Sequence, residues 1–239
     1  RQPSGSGEAM SPHCAARSNT KAKEHHLKTA TVAAESLERH PVLEEAIPEF
    51  ERLCGKMAAI FEASGKLLVA GNGGSAADAQ HIVAELMKSF EMKRTRSDLS
   101  ELQLENLPYG STLAKHLEPG LPAIALGLNH SLTSAIGNDF EEPQLEYAQE
   151  LSVLANAGDA LLAISTSGRA KNVLYTMVAA RAKGLFVVAL TGADAGEMAE
   201  LADLTLSVPA PLTAEVQELH EVIYHGLCRV LEQHFFASV

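Results

Sequence analysis

The chain has 239 residues, 46% of them apolar, and a formal charge of −11, which is material for one α/β core. The acidic balance argues against nucleic-acid binding through phosphates, which takes a basic face. No run of about 18 apolar residues is present to span a membrane, and no apolar leader marks a secretory signal.

In chain order, residues 1–23 are polar and rich in Ser and Gly and read as a disordered tail, leaving 24–239 as one domain. Two helical patterns follow within 25–64; in the second, Leu43, Ile47, Phe50, Leu53, Met57, Ile60 and Phe61 recur at steps of three and four. Gly65 stops it. Strands are then predicted at 67–70, 122–126, 159–164, 185–190 and 203–208. Helices are predicted at 76–90, 131–137, 142–156, 169–183, 195–201 and 212–235. Strands that are apolar throughout and separated by helices mean a parallel sheet covered on both faces. The expected fold is a three-layer α/β/α sandwich with five parallel strands. The N-terminal helices carry more apolar positions than one sheet face covers, so they are expected to pack in an oligomer. Residues 91–121 are long for a connection and read as an insertion, holding a short helix or hairpin at a subunit contact. The three cysteines, Cys14, Cys54 and Cys228, form no CxxC pair, which fits a reducing cytoplasm and neither a disulfide framework nor a cysteine zinc site.

Ligands of such sheets bind at the carboxyl ends of the strands. There the sequence places Gly71-Asn72-Gly73-Gly74-Ser75, Ser165-Thr166-Ser167-Gly168 and Thr191-Gly192. The glycines of the first loop let the backbone turn sharply, and Ser75 falls near a helix N-terminus that favours anions. It is neither a Walker loop nor GxGxxG, and a tight turn without a ligand satisfies the same glycines. The second loop offers three hydroxyls and backbone amides to a phosphate; an N-cap that uses one serine is the other reading. His81 and Glu85 are four apart, on one helix face. The pair can chelate zinc or a similar ion, or form a hydrogen-bonded surface pair. The last helix adds Gln217, His220 and His225. Gln217 and His225 are about 80° and about 12 Å apart on an ideal helix, near the limit for sharing one ion. Either a second subunit supplies a ligand or Gln217 precedes the regular helix.

These segments, with 135–140 (AIGNDF), 189–192 (ALTG) and 213–220 (TAEVQELH), resemble the SIS-domain phosphoheptose isomerase family over residues 40–236. The resemblance implies isomerisation of sedoheptulose 7-phosphate, a seven-carbon sugar phosphate, to a D-glycero-D-manno-heptose 7-phosphate. It implies one zinc ion held by His81, Glu85, Gln217 and His225. Glu85 would be the general base and His225 the general acid of a proton transfer through an enediol. Asn72, Gly73, Ser75, Ser165, Thr166, Ser167, Asn129, Thr213 and Gln217 would hold the substrate. A cytoplasmic homotetramer follows from the same resemblance. Arg169-Ala170 replaces the family's Asn-Ser, removing one hydroxyl and adding a cation; Asn129 replaces a common acid, and Lys88-Ser89 stands where many members have Arg. The family also contains a regulator that binds the replication initiator protein, so a non-catalytic interaction module and a sugar-phosphate sensor are the other readings.

Overall fold

The computed structural model describes residues 35, 37, 39–94 and 104–237. The expected tail at 1–23 lies outside them, as does most of the first N-terminal helical pattern. The fold is a three-layer α/β/α sandwich around five parallel strands, β1 (Leu67–Gly71), β2 (Ala123–Ala125), β3 (Ala160–Ser165), β4 (Phe186–Thr191) and β5 (Leu204–Ser207), in the order β2-β1-β3-β4-β5.

Alternate residues of each strand feed opposite layers. Leu67, Val69, Leu162 and Ile164 pack on one face against α1 (Ile47–Glu62), α2 (Gly74–Met87) and the long C-terminal α8 (Thr213–Phe236). Leu68, Ala70, Leu161 and Ala163 pack on the other, against α5 (Glu146–Leu154), α6 (Lys171–Ala182) and the short α7 (Met198–Leu201). All of β1 and β3 is buried, which is why these strands are apolar runs and not alternating ones. Each fully buried Leu or Ile here contributes roughly 1.5–3 kcal/mol.

Several boundaries differ from the expectation, for local reasons. The helix expected over 76–90 begins at Gly74 and ends at Met87, because Lys88 turns extended (φ −141°, ψ 177°). The helix expected from 169 begins at Lys171. The helix expected over 142–156 is a 3-10 turn, Pro143–Leu145, followed by α5. Asn129 caps α4 (His130–Asp139), its side chain accepting from the Leu132 amide at 3.1 Å. Gln217 lies well inside α8, so it does not precede regular helix. The 91–121 segment holds a 3-10 turn, Leu104–Asn106, and α3 (Gly110–His116); residues 95–103 lie outside the described chain.

Two ion pairs fasten these layers. Arg94 and Glu232 are buried, with Arg94 Nε 2.9 Å from Glu232 Oε1. Glu232 also accepts from the amides of Phe90, Glu91 and Met92, and Arg94 donates to the carbonyls of Glu85, Leu86 and Pro119. Such saturation makes a buried ion pair tolerable, and here it ties the end of α2 to α8. At the amino edge of the sheet, Asp159 accepts from the Lys66 amide (3.0 Å), the Asn156 amide (2.7 Å) and Lys66 Nζ (2.5 Å).

Candidate active site

β1 leads to α2 on one face of the sheet and β3 leads to α6 on the other, so the carboxyl edge opens between these two strands, at the switch in strand order. Gly71 pairs with Ile164, which sets the 71–75 and 165–168 loops side by side. Gly168 has φ +63°, and a Cβ on it would stand 2.0 Å from the Ala195 carbonyl oxygen. Only glycine fits that approach. The α6 N-cap is Ala170, with no side-chain cap, so none of the three hydroxyls is used to cap the helix. Ser167 Oγ accepts only a long contact from the Arg169 amide, at 3.4 Å.

Beside this loop is a cavity of about 290 Å³ lined by Thr166, Ser167, Arg169, Asp194, Pro211 and Thr213, among others. It therefore gathers three of the expected substrate residues, Thr166, Ser167 and Thr213. Arg169 pairs with Asp194 at 2.5 Å, so the cation gained in this loop is held by a carboxylate at the same mouth. Ser165 ends β3 and Ser75 lies in the first turn of α2; both are buried behind the loop surfaces. Gly73 is the α2 N-cap.

Asn72 is set by a network absent from the sequence reading. Tyr147 donates to the Gly71 carbonyl at 2.7 Å, and Asn72 Oδ1 lies 3.1 Å from the same hydroxyl. Asn72 and Asn172 exchange amide hydrogen bonds, and Asn172 also donates to Glu146. Burial raises the Tyr147 phenol above its ordinary value, which keeps it a donor. Asn129, exposed, serves as the α4 cap.

Titratable side chains converge where α2 faces α8. His81 Nε2 lies 3.2 Å from Glu85 Oε1 and 3.5 Å from His225 Nε2. Ligating atoms of His81, Glu221 and His225 all fall within 4.8 Å of one another. Two imidazoles and a carboxylate at this spacing suit a divalent cation such as zinc. The expected His81, Glu85 and His225 are thus brought together. Gln217 lies elsewhere on the same stripe: its side chain covers Gly74, where an added Cβ would meet Nε2 at 2.3 Å. That position is one turn, about 5.4 Å, before Glu221. Glu221 was missed; its signal was the four-residue step from Gln217 and to His225. Burial, and then the neighbouring His81, pulls the His225 pKa below the ordinary imidazole value. Phe90 stacks on the His225 ring at 5.4 Å. His220, on another side of α8, is fully buried; its ring lies against the Thr191 backbone without a well-formed hydrogen bond, and burial lowers its pKa to about 4.

A family model described as the SIS domain matches residues 100–192. The chain is 40% identical over 185 residues to a phosphoheptose isomerase of Alkalilimnicola ehrlichii, spanning 76% of this chain and 82% of that one. It is 34% identical over 217 residues to a phosphoheptose isomerase of Halorhodospira halophila, spanning 89% and 97%. Among solved structures, a phosphoheptose isomerase from Francisella tularensis matches with a TM-score of 0.66 at 30% identity, over 90% of this chain and 98% of that one.

Proposed function

Because this chain belongs to the SIS-domain phosphoheptose isomerase family, we propose that it converts sedoheptulose 7-phosphate to a D-glycero-D-manno-heptose 7-phosphate. The observation that carries this reading is the meeting of His81, Glu85 and His225 between α2 and α8, the second of which also lines the hydroxyl-bearing cavity with Thr213 and Val216. In this reading Ser75, Ser165, Thr166, Ser167 and Thr213 hold the phosphate, while Asn72, Gly73, Asn129 and Gln217 orient the sugar. Glu85 takes a proton from C1 of the ketose and returns it to C2. His225 gives a proton to the C2 oxygen and accepts one from the C1 hydroxyl, so the proton count closes through an enediol. A divalent ion, zinc in the family resemblance, would polarise the carbonyl. His81, Glu85, Gln217 and His225 are the residues proposed to hold it, with Glu221 beside them.

Nuclear magnetic resonance of the protein with sedoheptulose 7-phosphate and zinc in deuterated water tests this. Turnover with deuterium entering at C2 is expected, and Glu85→Gln should lose at least about 100-fold in rate. A wild-type protein that neither turns over the sugar nor exchanges its carbon-bound hydrogen overturns the reading. Metal analysis of protein purified without chelator separates the enzyme from a pure interaction module, which has no use for a stoichiometric ion. The same reading carries a cytoplasmic homotetramer, and light scattering tests the subunit count.

A further inference from the structure

The two nitrogens of His81 face different surroundings. Nε2 points to Glu85 and His225. Nδ1 lies 3.2 Å from the Tyr224 hydroxyl, which lies 3.4 Å from Asp78 Oδ1. We propose that Tyr224 and Asp78 are positioning residues that fix the tautomer and ring orientation of His81, so that its Nε2 lone pair is presented to a divalent cation.

Direction follows from the inventory of donors. An ionised carboxylate only accepts, and a phenol carries one proton. The Tyr224 proton therefore goes to Asp78, and the phenol oxygen is left to accept from Nδ1–H of His81. The chain runs His81 to Tyr224 to Asp78, and Nε2 is left bare. Histidine ligands are commonly oriented through their second nitrogen in this way. The His81–Tyr224 spacing is at the long end of hydrogen bonding, and the Tyr224–Asp78 spacing is a long contact beyond it.

Placement supports the role. Asp78 and His81 are three apart on α2, one face; Tyr224 reaches across from α8, adjacent in sequence to His225. The Tyr224 ring, 2% exposed, meets His81 edge-on with centroids 5.6 Å apart and His225 with centroids 4.8 Å apart, so one side chain braces both imidazoles. A phenylalanine would fill the same space. Asp78 carries a cost of its own, because its Oδ2 is buried without a hydrogen-bond partner among the described residues, a loss typical of groups kept for a reason other than fold stability.

The inference rests on the reading of His81 and His225 as metal ligands. Zinc affinity is measured by competition with a chromophoric chelator, for the wild type, Tyr224→Phe and Asp78→Asn. Solvent exchange of the His81 Nδ1–H is followed by nitrogen-15 resonance in the zinc-loaded proteins. Tyr224→Phe should bind zinc about 10- to 100-fold more weakly, and its Nδ1–H should exchange rapidly where the wild type is protected. Asp78→Asn, at a partly exposed helix position, should weaken zinc in the same direction, and it decides the matter should Tyr224→Phe fail to fold. Variants that bind zinc as the wild type does, with Nδ1–H still protected, overturn the relay and leave the metal reading standing. A wild type that binds no zinc overturns both.

Discussion

Gly168 is the residue on which the 165–168 loop turns, since its φ of +63° and the 2.0 Å approach to the Ala195 carbonyl exclude any side chain. Gly168→Ala must move backbone against backbone. We expect a loss of roughly 1–3 kcal/mol in stability and a rise in KM for the sugar phosphate of about tenfold or more, read by thermal melts and steady-state kinetics. The place of Thr166 and Ser167 at the cavity was legible because both follow the carboxyl end of a buried strand. Glu221 was legible too, through its four-residue steps to Gln217 and His225, but the sequence reading weighed Gln217, His220 and His225 and passed over it. The structure separates the first two, placing Gln217 on Gly74 and burying His220. Tyr224 was not legible: an aromatic in an apolar helix carries the same pattern whether or not its hydroxyl meets a histidine.

The elements that carry His81, Glu85 and His225, α2 and α8, are held together by the Arg94–Glu232 pair. Glu232 accepts three backbone amides besides Arg94, so its replacement leaves several buried donors unpaired. Glu232→Ala should destabilise the fold by about 3–5 kcal/mol, measured by chemical denaturation. Hydrogen exchange should rise across residues 88–94, and activity should fall with it, because Arg94 also holds the Glu85 carbonyl (2.9 Å). The existence and order of strands and helices were plain from periodicity, whereas their ends were set by contacts. The α2 end at Met87 follows from the extended Lys88, and the break before α5 follows from Pro143 and the non-helical Gln144. Neither is visible as a change in hydrophobic period.

Across the whole molecule, the Lys66–Asp159 pair and the hydroxyl-bearing loops sit at opposite edges of one sheet. Lys66 and Asp159 join β1 to β3 at the amino edge, while the 71–75 and 165–168 loops lie at the carboxyl edge. Burial raises the Asp159 pKa, but hydrogen bonds from Lys66 and Asn156 outweigh it and hold the carboxyl below its ordinary value of 3.8. A carboxylate with a lowered folded pKa stabilises fully above its unfolded value and loses that contribution as pH falls through the folded one. Asp159→Asn should therefore cost about 3 kcal/mol near neutral pH, and the gap to the wild type should narrow only below about pH 4. Melting curves at pH 7 and pH 3 check the sign. At a temperature where both are folded, kcat/KM should be unchanged, because no substrate residue is touched.

The sequence by itself determined the parallel sheet, the two loops at its carboxyl edge and the His81–Glu85 pair, since all three are written in local spacing. Tertiary structure decided which distant side chains complete them. Packing α8 across α2 brings His225 to 3.5 Å from His81, Glu221 into the same cluster, and Tyr224 between Asp78 and His81. Those contacts join residues about 140 apart in the chain. They depend on the register of one helix against another, which helical periodicity constrains to a face but not to a partner.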